Sequence, residues 1–493
     1  MVAPARLYFQ DLMRDGATLE ERGRRLAGGL QRHGLREGDV IAVLLRNDPV
    51  YADVMHAGRI AGVYYCALNW HFRPAELEFI LNDCGARLLI GHGDLLEAAA
   101  EALPRDVAVL AVGAAHGFGE YERWLGAQAA YDGPAVTPRG YMGYTSGTTG
   151  RPKGVRRMPV PVEEYPAYLA GMRELVRRVY GIEDGCRALV SAPLYHSAPA
   201  SIAQNALSYG ERLVLAPRFD AEETLALIER HRIDVAYLTP TMYVRMIRLP
   251  DAVWERYDVT SLRFVASTGA PCPPEVKRAI IARLGPVVHE TYASTEAGLI
   301  TLASSEDALA RPGTAGRPVG GAQLRILDDD GRECAPGEIG TIYARQPAYA
   351  DFTYQHLPEA RAAIEHDGLL TLGDVGYVDA DGYLFVCDRS ADMVISGGVN
   401  IYPAEIEHAL LRLPGVLDCA VVGLPDPEFG ERLHGFLQPE PGVVVDLEAI
   451  ATELRRAIAG YKVPRTFTVT EALPRDDNGK VARRRLRDMM LRV

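Results

Sequence analysis

The sequence predicts an α/β protein with two domains, because helical and strand patterns alternate along most of the chain and change to short β patterns near residue 320. The chain has 493 residues, of which 48% are hydrophobic and 24% are charged, so a sizeable core can be buried. We predict a large N-terminal domain over residues 1–388, made of two α/β sheet subdomains and a small β-rich subdomain. A small α+β C-terminal domain is predicted over residues 389–493.

The first part of the chain alternates between amphipathic helices and apolar strands. The predicted order is helix 19–33, strand 40–45, helix 51–60, helix 74–81 and strand 87–91. The alternation returns with strand 188–192, helix 198–207, strand 212–215 and helix 221–231. This alternation is typical of largely parallel sheets that are covered by helices.

The later part of the chain has a different pattern. Short β patterns are predicted over 323–326, 340–344 and 383–387, separated by turns rich in Asp and Gly. Beyond Asp388-Arg389 the chain predicts a helix over 403–412, a strand over 419–424, a helix over 447–459 and a strand over 466–469. This last region has the size of an independent domain of roughly one hundred residues.

Composition and charge exclude several classes of function. The formal net charge is −12 and no Lys/Arg cluster is interleaved with aromatic residues, which argues against a nucleic-acid partner. The seven cysteines form no Cys-x-x-Cys pair, so neither a zinc site nor a disulfide framework is indicated. No apolar run is long enough for a transmembrane segment and no signal pattern opens the chain, so we expect a cytoplasmic protein.

The segment from Thr145 to Gly154 has the composition of a phosphate-binding loop. Its sequence, Thr-Ser-Gly-Thr-Thr-Gly-Arg-Pro-Lys-Gly, combines hydroxyl donors, conformationally free glycines and a mobile charge on Lys153. A Walker ATPase is disfavoured, because Pro152 precedes this lysine and Gly154 follows it. Lysine occupies only positions 153, 277, 462 and 480 among 53 basic residues, which draws attention to each lysine.

Four further motifs carry groups that suit a nucleotide. They are Tyr292-Ala-Ser-Thr295-Glu296, Thr371-Leu-Gly-Asp374, Asp388-Arg389 and Gly479-Lys480. A tyrosine can stack on a purine, a threonine can donate to a phosphate, a glutamate can bind Mg²⁺ and an aspartate can bind a sugar diol. Each motif taken alone is also common in structural turns, in cores or on surfaces.

Together and in this order, the motifs resemble those of the acyl-adenylate-forming enzymes, the superfamily of acyl-CoA synthetases, stand-alone adenylation domains and beetle luciferase. The resemblance covers essentially the whole chain. It extends to weaker matches at 67–69, 193–196, 269–271, 396–407 and 460–464. It implies that a carboxylate attacks the α-phosphate of ATP and releases pyrophosphate, and that a thiol, usually that of coenzyme A, then displaces AMP from the acyl-AMP.

The resemblance also implies a role for each matching residue. The β- and γ-phosphates would be bound by Thr145, Ser146, Gly147, Thr148, Thr149 and Lys153. Adenine would lie between Tyr292 and the segment formed by Gly269, Ala270 and Pro271. The remaining roles are the α-phosphate for Thr295, Mg²⁺ for Glu296, the ribose for Asp374, the ribose or phosphate for Arg389, the carboxylate and α-phosphate for Lys480, the substrate carboxylate for His196, and the pantetheine tunnel for Gly397 and Gly398.

The chain departs from the family pattern at two positions. The family commonly has Asp or Lys two residues after the arginine of the Asp-Arg pair, where the C-terminal domain pivots between half-reactions, and this chain has Ala391. The ease of the second half-reaction is therefore in question. Ala293 stands where the family pattern has glycine, near the floor of the acyl pocket, so its methyl group could change the choice of substrate.

The implied acyl segments favour a hydrophobic monocarboxylic acid, either a medium or long fatty acid or a bulky ring-bearing acid. They contain small and apolar residues without Arg or Lys, so the second carboxylate of a diacid would be buried unpaired. A carrier protein in place of coenzyme A remains an alternative acceptor, and a non-catalytic acyl-AMP-binding module is a remote alternative. The protein is expected to be a monomer or a homodimer.

Overall fold

The computed structural model describes residues 5–146, 152–396, 399–476 and 479–491, without the side chain of Ser146. Its architecture confirms the predicted α/β class, with a large N-terminal part and a small C-terminal part. The residues up to Arg389 form two parallel sheets, a β-rich subdomain and a short antiparallel sheet. A separate sheet begins at Val394, and the strand Leu384–Arg389 before it crosses the predicted boundary between Asp388 and Arg389.

The central sheet has seven strands, and all its pairs are parallel except the last. In spatial order the strands are Val288–Glu290, Phe264–Ser267, Val235–Tyr237, Arg187–Val190, Arg212–Leu215, Arg6–Phe9 and Leu12–Arg14. Its inner strands are apolar on both faces, as expected for a parallel sheet covered by helices on both sides.

A second parallel sheet is built from the first part of the chain. Its strands, in spatial order, are Tyr64–Ala67, Val40–Leu44, Ala86–His92, Ala108–Val112 and Gly119–Glu120. One hydrophobic cluster combines side chains of this sheet with side chains of the central sheet and of the helices Gly16–Arg32 and Val50–Ala61. The two sheet subdomains therefore share a core.

A short antiparallel sheet, called here the loop sheet, flanks the predicted phosphate loop. It consists of Gly143–Ser146, Pro152–Arg157 and Phe352–Tyr354, with the strand Pro152–Arg157 in the middle. The neighbouring subdomain is β-rich, as predicted, and its strand pairs are antiparallel. Its strands are Gln323–Leu327, Gly340–Arg345, Glu365–His366, Leu369–Leu370, Asp374–Val378 and Leu384–Arg389. Two short hairpins, Ala293–Ser294 with Gly298–Leu299 and Thr301–Leu302 with Arg317–Pro318, complete this region.

The C-terminal sheet contains a long hairpin that the sequence pattern did not predict. Its strands are Val394–Ser396, Val399–Ile401, Val416–Asp426, Gly430–Pro439 and Thr466–Val469, and the hairpin joins Val416–Asp426 to Gly430–Pro439. Of this hairpin the sequence pattern predicts only 419–424 as a strand, because charged residues and Gly435 interrupt the apolar pattern of Gly430–Pro439. Long-range pairing within the hairpin outweighs these weak local preferences.

Each predicted helix is present, with ends that differ by no more than a few residues. The α-helices of the N-terminal part are Gly16–Arg32, Val50–Ala61, Pro74–Cys84, Gly93–Ala98, Tyr121–Gly126, Tyr165–Tyr180, Ser197–Tyr209, Ala221–His231, Pro240–Ile247, Asp251–Trp254, Pro274–Leu284, Ser305–Ala310 and Pro358–Ala362. Those of the C-terminal part are Pro403–Leu410, Leu447–Ala457 and Arg483–Leu491. Among the described residues, no helix combines the length and the apolar character needed to cross a bilayer.

The two parts of the chain contact each other through polar groups. Arg412 forms an ion pair with Glu275 at 2.8 Å, and the Arg248 guanidinium donates to the carbonyl oxygen of Leu417 at 3.0 Å. In each pair one residue belongs to the N-terminal part and the other to the C-terminal part. These contacts hold the C-terminal domain beside the carboxyl ends of the central strands.

His434 is a buried histidine in the core of the C-terminal domain. It is 2% exposed, and its two ring nitrogens lie 2.7 and 3.0 Å from the hydroxyl oxygens of Thr466 and Thr468. Burial, followed by the charge of Arg432, lowers the pKa of His434 to about 4. The folded protein therefore keeps this imidazole neutral at pH values where an exposed histidine binds a proton.

We expect His434 to make stability depend on pH. Between its ordinary pKa of 6.5 and the folded value of about 4, only the unfolded state binds the proton, so this stabilisation is lost as the pH falls through that window. The wild-type free energy of unfolding should fall by about 2 kcal/mol more than that of His434→Gln between pH 7.5 and 5. Urea titrations of the full chain at both pH values measure this, with exposed His116→Gln as the control. An equal loss in wild type and His434→Gln would contradict the prediction.

Candidate active site

The candidate site lies at the carboxyl edge of the central sheet. The strand order reverses between Arg187–Val190 and Val235–Tyr237, and open α/β sheets bind ligands outside the strand ends at such a point. The segments that follow four neighbouring parallel strands meet at this edge. They are 191–197, 238–241, 268–272 and 291–296, and three of them contain predicted site residues.

The predicted Mg²⁺ ligand Glu296 is a buried residue with a fixed carboxylate. Its Oε1 accepts hydrogen bonds from the Thr145 hydroxyl at 3.0 Å and from the Tyr354 hydroxyl at 3.1 Å. Both donors lie on the loop sheet, so the strand leading into the phosphate loop is tied directly to Glu296. Burial, followed by the charge of Glu296, raises the pKa of Tyr354, which keeps this phenol protonated as a donor.

The arrangement of Glu296 fits a Mg²⁺ ion shared with nucleotide phosphates. Among the described residues no group of three or more His, Cys, Asp or Glu side chains could form an all-protein metal cage. Mg²⁺ is commonly held by one or two carboxylates together with substrate phosphates, and Glu296 offers one carboxylate beside the phosphate loop. In the described part of the chain, no Arg, Lys or His pairs with this carboxylate within 4 Å.

Other predicted phosphate ligands lie around the same glutamate. The Lys153 ammonium is 5.2 Å from the centre of the Tyr354 ring, on the loop sheet. The Thr295 hydroxyl is 3.3 Å from the Ser197 hydroxyl, at the first residue of the helix Ser197–Tyr209. Predicted residues from three separate segments are thus brought together around Glu296.

Tyr292, Asp374 and Arg389 form a second connected group. The Tyr292 hydroxyl donates to Asp374 Oδ2 at 2.7 Å, and the Arg389 Nε donates to Asp374 Oδ1 at 3.1 Å. Burial, followed by the charge of Asp374, raises the pKa of Tyr292 well above its usual value. The tyrosine therefore orients the aspartate, and its half-buried ring packs against two hydrophobic clusters.

The predicted adenine loop is fixed to the segment that carries Tyr292. The Thr268 hydroxyl donates to the carbonyl oxygen of Thr291 at 2.9 Å. Gly269 has φ +96°, a conformation that favours glycine, and the exposed Gly269 and Pro271 flank the half-buried Ala270. The two sides predicted to enclose adenine are therefore held at the ends of adjacent strands.

His196 precedes the helix Ser197–Tyr209 and lies after the central strand Arg187–Val190. Its ring centre is 4.2 Å from that of Tyr195, and the Tyr195 carbonyl oxygen accepts a 2.5 Å hydrogen bond from the Tyr141 hydroxyl. The imidazole thus lies at the positive end of a helix, beside the crevice. Its half-buried position agrees with a group that faces a ligand at the strand ends.

A hairpin-like loop in the C-terminal domain carries Lys480. The Arg475 guanidinium donates to both carboxylate oxygens of Asp418 at 2.7 Å and to the carbonyl oxygen of Gly479 at 2.6 Å. Gly479 has φ +85°, and a Cβ atom on it would lie 2.1 Å from a methyl carbon of Thr241. Only glycine fits this contact, which joins the Lys480 loop to the N-terminal part of the chain.

Lys480 therefore faces the Asp374 and Arg389 group from the other domain. Partial desolvation, followed by the positive charge of Arg389, lowers the pKa of Lys480, although its side chain remains open to solvent. The carboxylates of Asp392, Asp476 and Asp374 act in the opposite direction. The mobile cation and the predicted ribose ligand thus occupy one crevice.

Several predicted residues lie outside the part of the chain that the structure describes. They are Gly147, Thr148 and Thr149 of the phosphate loop and Gly397 and Gly398 of the predicted pantetheine tunnel, together with the side chain of Ser146. Conversely, the sequence analysis missed Tyr354, Arg157 and Thr241. Their roles depend on contacts between distant segments, and no local motif marks them.

Comparison with known proteins gives the same picture over nearly the whole chain. Residues 15–351 match the model of the AMP-binding enzyme family, and residues 405–480 match the model of the AMP-binding enzyme C-terminal domain. A feruloyl-CoA synthase of Amycolatopsis is 35% identical over 96% of this chain and 93% of its own length. A fatty acid–[acyl-carrier-protein] ligase of Streptomyces coeruleorubidus is 31% identical over 95% of this chain and 90% of its own length.

A solved structure is similar as well. The o-succinylbenzoate CoA synthetase of Bacillus subtilis, in complex with its acyl-adenylate intermediate, superposes with a TM-score of 0.83. It is 29% identical, and the match covers 99% of this chain and 95% of that protein. The similarity therefore includes both domains.

The lowered pKa of Lys480 can be measured directly, because the chain has only four lysines. The lysines are modified with a limiting amount of amine-reactive reagent at a series of pH values, and peptide mass spectrometry measures the modified fraction of each. The modified fraction of Lys480 should reach half its maximum at a pH below the ordinary pKa of 10.5. In Arg389→Gln the midpoint should rise, because a neighbouring positive charge has been removed. Lys462 serves as the internal reference. A Lys480 midpoint at or above 10.5 in the wild type would contradict the geometry.

Proposed function

Because the chain belongs to the AMP-binding enzyme family and is an ATP-dependent acid–CoA ligase acting through an acyl-adenylate, we propose that its substrate is a hydrophobic monocarboxylic acid. A ring-bearing acid is favoured over a fatty acid. Two similar proteins are named for ring-bearing acids, ferulate with one carboxylate and o-succinylbenzoate with two, and the single carboxylate of ferulate matches the proposed class. The finer choice of acid depends on the apolar groups beside the predicted reaction centre.

The observation that carries this proposal is a set of apolar side chains near Thr295, called here the apolar wall, most of which are buried in the core. Ala200, Ile202 and Ala203 of the helix Ser197–Tyr209 belong to the same hydrophobic cluster as Val265 and Leu299. The half-buried Ala198 and Ala293 pack against this cluster at the edge of the crevice. None of these segments contains Arg or Lys, so a second carboxylate would lack a counter-charge.

The proposed adenylation is an in-line transfer of the AMP group. An oxygen of the substrate carboxylate bonds to the α-phosphorus, and the bond from that phosphorus to the bridging oxygen of pyrophosphate breaks. Thr295 and Lys480 would contact the phosphoryl oxygens, and His196 would lie near the carboxylate. Mg²⁺ held by Glu296 supplies neutralisation of phosphate charge when bound. The protein provides no covalent nucleophile and acts through positioning and charge.

The nucleotide would be held by the two groups described above. The phosphates would be bound by Thr145, Ser146, Gly147, Thr148, Thr149 and Lys153. Tyr292 and the segment from Gly269 through Ala270 to Pro271 would enclose adenine. Asp374 would bind the ribose with Arg389 beside it, and the hydrogen bond from Tyr292 leaves Asp374 oriented toward the crevice.

The second step forms the thioester. The sulfur of coenzyme A bonds to the acyl carbon, the bond from that carbon to the AMP oxygen breaks, and the thiol proton passes to the departing phosphate or to solvent. We propose that the C-terminal domain moves between the steps, withdraws Lys480 and brings Gly397 and Gly398 to the pantetheine. Ala391 lies in an exposed turn held by backbone bonds, from Ser390 N to Gly373 O at 2.7 Å and from Asp392 N to Arg389 O at 2.9 Å. The turn therefore has no need of a side chain at this position.

A carrier protein is the second candidate acceptor. The similar ligase from Streptomyces coeruleorubidus supports it, because that protein is named for transfer to an acyl carrier protein. The two acceptors differ in the second step only. Activity with free coenzyme A and no carrier distinguishes them.

A panel of acids tests the proposed substrate class. Pyrophosphate release with ATP and Mg²⁺ is measured for cinnamic, indoleacetic and polycyclic acids, for fatty acids of 8 to 16 carbons and for diacids, with and without coenzyme A. Mass spectrometry identifies each thioester. We expect the highest kcat/KM for a ring-bearing monocarboxylic acid, and the presence of a second carboxylate should reduce kcat/KM by about 10-fold or more. A fatty acid as the best substrate would overturn the ring preference, and release that ends at acyl-AMP would favour a carrier protein.

The same panel tests the role of Ala293. In Ala293→Gly one methyl group is lost beside the apolar wall, where Ala293 pairs with Leu299. The ratio of kcat/KM for the bulkiest to the smallest accepted acid should rise by about 10-fold. An unchanged ratio would show that Ala293 does not contact the acid.

Lys480→Ala should separate the two half-reactions. Loss of this charge should reduce acid-dependent pyrophosphate release by ~10²-fold or more, because a preorganised group that stabilises developing charge is removed. Thioester formation from pre-made acyl-AMP should remain close to the wild-type rate. Lys480→Arg keeps the charge and should retain more adenylation than Lys480→Ala. An equal loss of both half-reactions in Lys480→Ala would contradict this division.

A further inference from the structure

Arg157 ends the strand that follows the phosphate loop, and its guanidinium lies beneath the turn Thr295–Glu296. Its Nη2 donates to the carbonyl oxygen of Thr295 at 2.5 Å and to that of Glu296 at 2.8 Å. Its Nη1 donates to the carbonyl oxygen of Ala350 at 2.9 Å. One planar side chain thus joins the middle strand of the loop sheet to the two residues predicted to contact the α-phosphate and Mg²⁺.

The guanidinium is packed between aromatic rings. Its central carbon is 4.9 Å from the centre of the Tyr349 ring and 5.4 Å from that of the Phe352 ring. Burial lowers the pKa of Arg157, yet arginine remains protonated at neutral pH because its ordinary pKa is 12.5. Among the described residues no carboxylate lies within 4 Å of Arg157 to form an ion pair, so carbonyl dipoles solvate its charge.

The turn is therefore held from two sides by one sheet. Thr145 and Tyr354 bind the carboxylate of Glu296, and Arg157 binds the backbone that carries this carboxylate. Thr145 lies at the loop end of the first flanking strand, and Arg157 lies at the far end of the second. A displacement of Arg157 would move the turn relative to this loop. In the proposed function the turn and the loop bind the same nucleotide, so their relative position matters.

We propose that Arg157 is a positioning residue for adenylation, which sets the geometry of Thr295 and Glu296 relative to the phosphate loop. The proposal deepens the proposed function and rests on the roles assigned there to these two residues. The planar fork matters as well as the charge, because three carbonyl oxygens on two segments are bound at once. A lysine at this position keeps the charge, but its donors are all on one nitrogen and cannot reach three separate carbonyl oxygens in the same way.

Arg361 offers a matched control. It is also a buried arginine, and its guanidinium lies 4.8 Å from the centre of the same Phe352 ring. Its ion pairs are with Asp351 and Glu365, away from the turn Thr295–Glu296. A change of Arg361 therefore disturbs the packing of the loop sheet without touching the turn.

The test compares Arg157→Lys with Arg361→Lys in the full chain. In Arg157→Lys, the kcat of adenylation should fall by 10- to 100-fold and the Mg²⁺ concentration for half-maximal rate should rise several-fold, as is typical when a partner of a metal ligand is lost. Thioester formation from pre-made acyl-AMP should stay within about threefold of wild type. Arg361→Lys should leave the Mg²⁺ dependence unchanged.

Three outcomes would overturn the inference. The first is a wild-type Mg²⁺ dependence and adenylation rate in Arg157→Lys. The second is an equal effect in Arg361→Lys, which would show that Arg157 acts only by packing against the Phe352 ring. The third is an equal loss of both half-reactions in Arg157→Lys. Glu296→Gln is measured in parallel, and if it leaves adenylation and Mg²⁺ dependence unchanged, the proposed role of Glu296 itself fails.

A second variant tests the inference if Arg157→Lys does not fold. Tyr349→Leu removes one ring that packs on the guanidinium and leaves its three carbonyl acceptors intact. The same rise in the Mg²⁺ requirement is expected, at a smaller size. A folded Tyr349→Leu protein with an unchanged Mg²⁺ requirement would contradict the positioning role.

Discussion

Parallel pairing of the central strands is the constraint on which the rest of the site depends. Strands that run in the same direction end at the same edge, so four segments far apart in the sequence are delivered to one crevice. The segments that end at Pro271 and at Glu296 follow adjacent strands, which accounts for the bond between Thr268 and Thr291.

The loop sheet extends this arrangement to the phosphate loop. Antiparallel pairing places Thr145 opposite Lys153, and the third strand brings Tyr354 and the segment around Ala350 to the same place. The carboxylate and the backbone of Glu296 are then fixed by different residues of one small sheet. The phosphate loop and the turn Thr295–Glu296 are therefore coupled, because neither can move relative to the other without breaking these hydrogen bonds.

Much of the fold and some of the site could be predicted from the sequence. The strand Arg212–Leu215, the helix Ala221–His231 and the strand Thr466–Val469 have the predicted bounds, because their apolar periodicity is strong and clear turn residues flank them. Motifs of adjacent residues predict Tyr292, Asp374 and Lys480 as members of one site, and the structure has a hydrogen bond between the first two. Arg157 escaped detection because its acceptors are backbone carbonyls, which any sequence supplies. Thr241 escaped because its partner, Gly479, is recognisable only by the space that a Cβ atom would need.

The contact of Gly479 with Thr241 has a consequence for timing. Lys480 is not carried by the domain that holds the other candidate nucleotide ligands, and its loop reaches them through a contact with no room for even one methyl group. The distance between Lys480 and those ligands would therefore change with any movement of the C-terminal domain. A movement of that domain would break this contact and separate Lys480 from the other candidate ligands, so the closing of the two parts would set when Lys480 reaches them.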